Sequence, residues 1–528
     1  MKLNKIKKSA ICLSLLATIS CTNNFEEINT NPNGFSKEQL SQDYNQIKSL
    51  YAPVFNKLLI LDVTWMYQIQ QNLQADLWSG YLTTPIVFGP TNNHDYALND
   101  GWNGYAWDTA YLEGMANLVK IEEESKGKYD QFYAWGLILK VATMHRITDM
   151  YGPIVYSKYG VSDGGAVTYD SQKDVYTQFF KELDFAVTEL TERVDAGEAS
   201  SFGSADKSTY AGDYKKWVKF ANSLRLRLAI RISKVDPALA KTEAEKAVNH
   251  SIGVMTTKDD IMAINSPQNL HVIDVIANSW KGIMMGADVE SIWGGYEDPR
   301  MPIYFTTAPK FAGEYKGVRT GIVYPSSATY ADHSTSNPKG PMATGNVVWM
   351  TTAEVYFLRA EGAVRGWNMN GTAKELYELG ISTSFDQAGA SGAAAYIADN
   401  TKMPKDYVDY VNSANNIAAV NKVTVAWNDA ATNEVKLQKI ITQKWIANYP
   451  EGQEAWSEWR RTGYPKLFPI SNNKSGGVIS TEYGVRRLPF AQSEKNTNPA
   501  GVATGVEKLG GADNGATRLW WDTTTANF

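Results

Sequence analysis

The chain has 528 residues, 43% of them hydrophobic, with 51 basic and 56 acidic side chains and a formal net charge of −5. A chain of that length can bury a sizeable core without staples, and its acid-side balance excludes nucleic acid and anionic lipid as partners. Two cysteines, Cys12 and Cys21, exclude a disulfide framework.

Lys2, Lys5, Lys7 and Lys8 precede an apolar run from Ala10 to Ile19. That run is about ten residues, half of the ~20 a membrane-spanning helix needs, which is the pattern of a signal peptide. Cys21 follows the small Ser20, with Leu15 and Leu16 a turn upstream, and this resembles a bacterial lipoprotein cleavage site whose thiol accepts lipid. Thr18 departs from the larger aliphatic residue usual there. The expected organisation is a leader at 1–20 and a mature chain from Cys21 to Phe528. Losing the leader removes four lysines, leaving 47 of 51 basic residues against 56 acids, a balance of −9. Cys12 goes too, so no internal disulfide can form. The string "NTNPNG" (Asn29 to Gly34) mimics half of a calcium loop, but Leu40 stands where a bidentate glutamate is needed, and a run of Asx turns accounts for it better.

Helical periodicity dominates the rest of the chain. Helices are expected from Trp107 to Glu124 and over "YDQFYAWGLILKVATMHRITDMYG", where Phe132, Trp135, Leu139, Ala142 and Met144 recur every three or four residues up to Gly152-Pro153. Another is expected from Gln172 to Leu190. In "WVKFANSLRLRLAIRIS" an apolar stripe runs through Trp217, Phe220, Ala221, Leu224, Leu228 and Ile232, with Lys219, Arg227 and Arg231 on a solvated or ion-paired face. "TTAEVYFLRAEGAVRGW" opens with Thr351 and Glu354 in capping-box spacing, and an Asn/Gly turn joins it to "TAKELYELGISTSF" as a helical hairpin. Such pairs are the units of tetratricopeptide-type stacks, although no strict 34-residue consensus repeats. The soft length prior of about three domains finds no linker to divide the chain. The stretches 324–345 and 496–516 look like surface loops, and about 252–348 looks like irregular structure carried on the helical scaffold.

Signals for chemistry are weak. The histidines His94, His145, His250, His271 and His333 lack helical zinc-site spacing. "GVSDG" (Gly160 to Gly164) fits a nucleophile-elbow string without the helix that must come after it. Paired carboxylates cannot be picked from 56 acids by sequence. The informative excess is aromatic, with 16 Trp and 29 Tyr. Trp78, Tyr81, Tyr96, Trp102, Tyr105, Trp280, Trp293 and Tyr296 lie in Gly/Asn/Asp-rich surroundings, where a ring is expected to bury partly and leave one flat apolar face to water. Such faces suit a sugar ring or a peptide. Asp76, Asn92, Asn93, Asp95, Asn103 and Asn278 are the hydrogen-bonding candidates beside them. The expected ligand set is Trp78, Tyr81, Asp95, Tyr96, Trp102, Asn103, Trp280, Trp293 and Tyr296.

The strings "RITDMYGPIVYSK", "TYDSQKDVYTQFFKELDFAV", "YKKWVKFANSLRLRLAIRIS", "YEDPRMPIYF", "TTAEVYFLRAEGAVRGW", "TQKWIANYPEGQEAWSEWRRTGYPKL" and "TRLWWD" occur in an order that resembles the SusD/RagB family of Bacteroidetes outer-membrane lipoproteins. The resemblance covers nearly the whole mature chain. It implies one mostly α-helical domain over 21–528, with four tetratricopeptide-like helical pairs supporting a loop-rich ligand face. It also implies a lipid-anchored protein at the cell exterior, serving a SusC-like TonB-dependent transporter by capturing an oligosaccharide or, alternatively, a peptide. Binding, not catalysis, is the implied activity, with no cofactor; a structural calcium on the acidic surface is left open. Arg460, Arg461 and the Asp298 and Arg300 pair are assigned to fold and ion pairing.

Overall fold

The computed structural model describes residues 42–528 apart from 59–60, 87, 90, 162–164, 267–268 and 324. The leader, Cys21 and "NTNPNG" lie outside the described residues, as does the centre of "GVSDG". The chain divides into a unit up to Ser49, of which Gln42–Tyr44 and Asn45–Lys48 form single helical turns, and a unit from Leu50 to Phe528.

In the second unit the scaffold helices are α1 (Tyr51–Leu58), α2 (Thr64–Tyr67), α3 (Asp100–Asn103), α4 (Tyr105–Thr109), α5 (Ala116–Ser125), α6 (Asp130–Tyr151), α7 (Gln172–Asp195), α8 (Tyr214–Arg231) and α9 (Pro237–Val248). After the irregular stretch come α10 (Ala287–Gly295), α11 (Thr352–Val364), α12 (Ala373–Ala388), α13 (Asn433–Ala447), α14 (Gly452–Thr462) and α15 (Pro499–Leu509). Side-chain caps start them where the sequence offers an oxygen: Ser171 accepts from Asp174 N at 3.1 Å and Asp213 from Lys216 N at 3.1 Å. Thr372 and Glu375 form a full capping box on α12. On α11 only half of the expected box exists, because Thr351 accepts from Glu354 N at 3.0 Å while the Glu354 carboxylate turns to Arg227.

Helix α6 packs on α7, α7 on α8 and α8 on α9, α11 packs on α12 and α13, and α8 packs on α11, joining the two groups. Strands are short. β1 (Leu82–Thr83) pairs antiparallel with β3 (Met284–Met285), and β2 (Met262–Asn265) with β4 (Asn346–Met350), the latter pair with a register shift at Met262 and Ala263. The stretch 252–348 is built of β2, β3, the start of β4, α10, short helical segments such as Val275–Ser279 and Met301–Tyr304, and turns. The stretch 496–516 differs from the expected loop, because α15 occupies it. Asn498 caps α15 and Pro499 opens it, while an added Cβ at Gly501 or Gly505 would lie 2.2 Å from the Val167 carbonyl or 2.7 Å from the Tyr169 ring. Its glycines serve close packing, not a flexible loop.

Helix α8 has no solvated arginine face. Arg225, Arg227 and Arg231 are buried, and the last two enter an ion network closed between helices. Arg227 meets Glu354 at 2.7 Å, Arg231 meets Glu454 at 2.5 Å, Asp149 at 3.4 Å and also Glu458. Lys444 bridges Glu454 at 2.9 Å and Glu458 at 3.3 Å, and Arg461 bridges Glu361 and Glu458, each at 2.7 Å. Arg365 adds a contact to Glu361 at 2.8 Å. Five cations thus face five carboxylates, all buried or nearly so. Arg300 is likewise buried on Asp298 at 2.6 Å. Arg460 differs from the expected ion pair: it donates to the carbonyls of Trp456 and Arg486 and lies 3.4 Å over the Trp456 ring.

Burial by itself would raise the Glu454 carboxyl, but Arg231, Lys444 and Arg227 outweigh it and hold it at about 2. Glu458 is held well below the ordinary range by Arg461, Lys444 and Arg231 in the same way. A carboxylate lowered on folding stabilises the fold above its unfolded pKa and loses that contribution as the pH falls through its folded value. Calorimetry is therefore expected to show a melting temperature that falls progressively from pH 4.5 towards pH 2. At neutral pH, Glu458→Gln leaves Arg231, Lys444 and Arg461 short of a counter-charge and should destabilise by about 3–5 kcal/mol in denaturant titration.

Candidate binding site

The interior claims most of the expected ligand set. Trp78 is buried against Trp456 with ring centroids 4.8 Å apart, and its indole N–H donates to the Asn93 carbonyl at 3.2 Å. The Tyr81 hydroxyl donates to the Trp445 carbonyl, and the Tyr296 hydroxyl to that of Val423 at 2.7 Å. Trp293 is fully buried among Tyr304, Phe305 and Tyr449. Tyr96 is 9% exposed, Asp95 is buried on Lys474 at 2.9 Å, and Asn103 sits in an interior amide network. For these residues the expected free face is corrected: the small polar neighbours mark tight turns that fold back onto the helices, so the rings fill space between layers. Asp76, Asn92 and Asn93 are buried too.

Trp280 and Trp102 stay at the surface. Trp280 is 44% exposed and Trp102 half-buried. The structure adds two rings that sequence reasoning missed, Trp65 at 44% and Phe88 at 37%. The Trp65 ring stands edge-on to Tyr105 at 5.4 Å and Phe88 edge-on to Trp102 at 5.2 Å. Trp102 and Tyr105 are three residues apart across the junction of α3 and α4.

Three π-helical segments adjoin these rings. Gln68–Ala75 follows α2 with its Trp65, Ala110–Met115 follows α4 with its Tyr105, and Val275–Ser279 runs directly into Trp280. A π-turn widens the helix and re-aims the side chains beside it, which is why such turns recur at functional sites. Helix α2 packs against the segment Val275–Ser279. One residue past Trp280, Lys281 has φ +54°, a backbone conformation uncommon outside glycine. At Gly282 an added Cβ would lie 2.4 Å from the Gln68 amide nitrogen, one turn after Trp65, and the Gly282 carbonyl accepts from Thr84 Oγ1 at 2.9 Å. Trp65 and Trp280 are thereby carried on abutting segments.

Behind Trp102 the amides form a scaffold. Asn103 Oδ1 accepts from Asn93 Nδ2 at 3.0 Å and Gln74 Nε2 at 3.4 Å, Asn93 Nδ2 also donates to the Leu73 carbonyl at 3.0 Å, and the Tyr151 hydroxyl donates to the Asn103 carbonyl. Below it, burial pushes the Asp76 carboxyl up to about 8 against the hydrogen bonds from Asn72 and Gln71 that favour its charge. Beside Trp280, Asn278 donates to Asp274 at 2.7 Å, both half-buried. Among the described residues no cluster of His, Cys, Asp or Glu could hold a metal ion. The arrangement offers flat rings with the amide of Asn278 and the carboxylate of Asp274 near Trp280, which is chemistry for stacking and hydrogen bonding. Replacing Asn103 by Leu strips acceptors from buried amide donors and should cost about 1–3 kcal/mol in urea denaturation.

Known proteins share this architecture. The family model for SusD-like proteins, the SusD and RagB outer-membrane lipoproteins, matches residues 27–522. Among solved structures, a chitin-binding SusD homologue from Flavobacterium johnsoniae is 59% identical, with TM-score 0.90, over 92% of this chain and 100% of that one. SusD homologues from Bacteroides vulgatus, 39% identical with TM-score 0.86 over 92% and 99% of the two chains, and Bacteroides uniformis, 37% identical with TM-score 0.82 over 90% and 99%, are also similar. No curated protein sequence matches the chain.

Proposed function

The chain belongs to the SusD/RagB family of outer-membrane lipoproteins, and from that premise we propose that it is a non-catalytic receptor for chitin-type oligosaccharides, displayed outside the cell and serving a TonB-dependent transporter. Cys21 is the lipid-bearing residue in this reading. The observation that carries it is the set of surface rings, exposed Trp65, Trp280 and Phe88 with half-buried Trp102, on segments packed against the helical core. Support for the ligand class comes from the chitin-binding relative at 59% identity.

Sugar rings present C–H groups on one face and hydroxyls at the edge. The indoles of Trp65 and Trp280 meet the first, and Asn278 and Asp274 stand beside Trp280 for the second. Shallow stacking buries limited area and must order the ligand, so affinity is weak to moderate at each contact. A lipid tether beside a transporter compensates by raising the effective concentration of captured ligand.

Isothermal titration with chitooligosaccharides, cello-oligosaccharides and a peptide panel tests this. Chitooligosaccharides should bind, and Trp65→Ala and Trp280→Ala should each weaken binding about tenfold without change in the melting transition. Peptide binding with no glycan response, or glycan binding indifferent to both substitutions, would overturn the assignment. Long incubation with polymer should yield no new reducing ends.

A further inference from the structure

A cavity of about 600 Å3 lies between the C-terminal end of α14, the loop after it, the segment around 481–486 and the C-terminal residues 523–527. Neither Trp65, Trp102 nor Trp280 lines it. Its lining holds six basic side chains against three acidic ones. Arg461 is neutralised by Glu361 and Glu458, and Arg486 and Arg518 share the one carboxylate of Asp522. Of the lining acids, Glu434 already accepts from the Tyr464 hydroxyl at 2.7 Å and from Asn527 at 2.8 Å. Burial pushes the Asp288 carboxyl up to about 7, which weakens its charge near neutrality.

Three cations on this wall, Lys234, Arg460 and the exposed Lys466, have no carboxylate partner among the described residues. Lys234 donates to the backbone carbonyls of Arg461 and Thr523, each at 3.2 Å, and an ammonium carries three donors. Arg460 donates to two carbonyls and to Ser457 Oγ at 3.0 Å. Burial, helped by neighbouring Arg461 and opposed by Asp522, lowers Lys234 to about 8. One acceptor is left over. Asn527 Nδ2 is committed to Glu434 and to the Thr462 carbonyl at 3.1 Å, which fixes the amide, and its buried Oδ1 has no partner. Trp459 supplies an aromatic wall, its ring tip 2.9 Å from where a Cβ at Gly484 would stand.

We propose that this cavity binds a small hydroxylated organic anion, a sugar acid or sugar phosphate, with its oxyanion at Lys234, a hydroxyl donating to Asn527 Oδ1 and its body against Trp459. A neutral sugar leaves the cationic wall unmatched, and inorganic phosphate has no carbon body to lie against Trp459.

The test is titration of the purified chain with glucuronate, glucose 6-phosphate, glucose and inorganic phosphate. At least one of the two sugar anions should bind with a dissociation constant below about 1 mM, more tightly than inorganic phosphate, and glucose should not bind here. Binding should weaken about tenfold in Lys234→Gln, whose amide can still donate to the two carbonyls, and should fall between about 0.01 M and about 1 M salt. Trp280→Ala should leave it unchanged, which separates this site from the glycan face. Should Lys234→Gln lower the melting temperature, the exposed Lys466→Gln takes its place with a smaller loss expected. Absence of binding by both sugar anions, or binding indifferent to Lys234 and Lys466, overturns the proposal.

Discussion

The constraint on which the rest of this fold rests is the closed set of buried charges between α6, α8, α11, α13 and α14. Sequestering any one of those ions alone would cost several kcal/mol, and mutual attraction offsets that only when every partner is present in good geometry. Arg231 reaches Asp149 on α6 and Glu454 and Glu458 on α14, Lys444 reaches back from α13, and Arg461 ties α14 to Glu361 on α11. The helices cannot slide or rotate without stranding a charge. An apolar seam tolerates small shifts in register; an ion lattice with matched carboxylates does not.

Helix α14 conveys that constraint to the binding surface. Its glutamates point into the ion set, while Gly452 lies so close to Asp76 that an added Cβ would be 2.0 Å from the carboxylate, and Trp456 packs on Trp78. It also packs against the π-helical segment Gln68–Ala75, whose N-terminal side leads to Trp65 and whose Gln74 reaches the Trp102 carbonyl at 3.3 Å. Rings that bind a flexible ligand gain by being ordered beforehand, since less freedom is then lost on binding. The buried candidates Trp78, Asn93 and Asn103 belong to this support.

The helical scaffold was legible because its signals are local and repeated: apolar spacing in Asp130–Tyr151 and Tyr214–Arg231, and cap residues ahead of the helices. Irregularity in 252–348 was equally visible as missing period. What sequence could not show was which polar or aromatic side chains turn inward. Arg227 and Arg231 read as a solvated or ion-paired face, and the sequence could not tell which, because their partners Glu354, Glu454 and Glu458 lie more than a hundred residues away. Trp293 and Tyr296 read as displayed rings because Gly and Asn neighbours mark a turn without saying which layer closes over it. Trp65 lies outside the Gly/Asn/Asp-rich strings that singled out the other rings, so nothing around it marked it as exposed, and Gly501 and Gly505 disguised α15 as a loop.

Charge placement separates two kinds of recognition in one molecule. The lattice ions are spent on each other and project little field outward, so the uncharged rings Trp65, Trp102 and Trp280 meet ligand through dispersion and desolvation, which salt scarcely screens. Lys234 and Arg460 are cations that the lattice leaves unmatched, although Arg461, their neighbour, is one of its members. A cavity lined by surplus charge attracts through a field that salt does screen. Ionic strength therefore distinguishes contact made on the rings from contact made at the end of α14, with the same helix holding both in place.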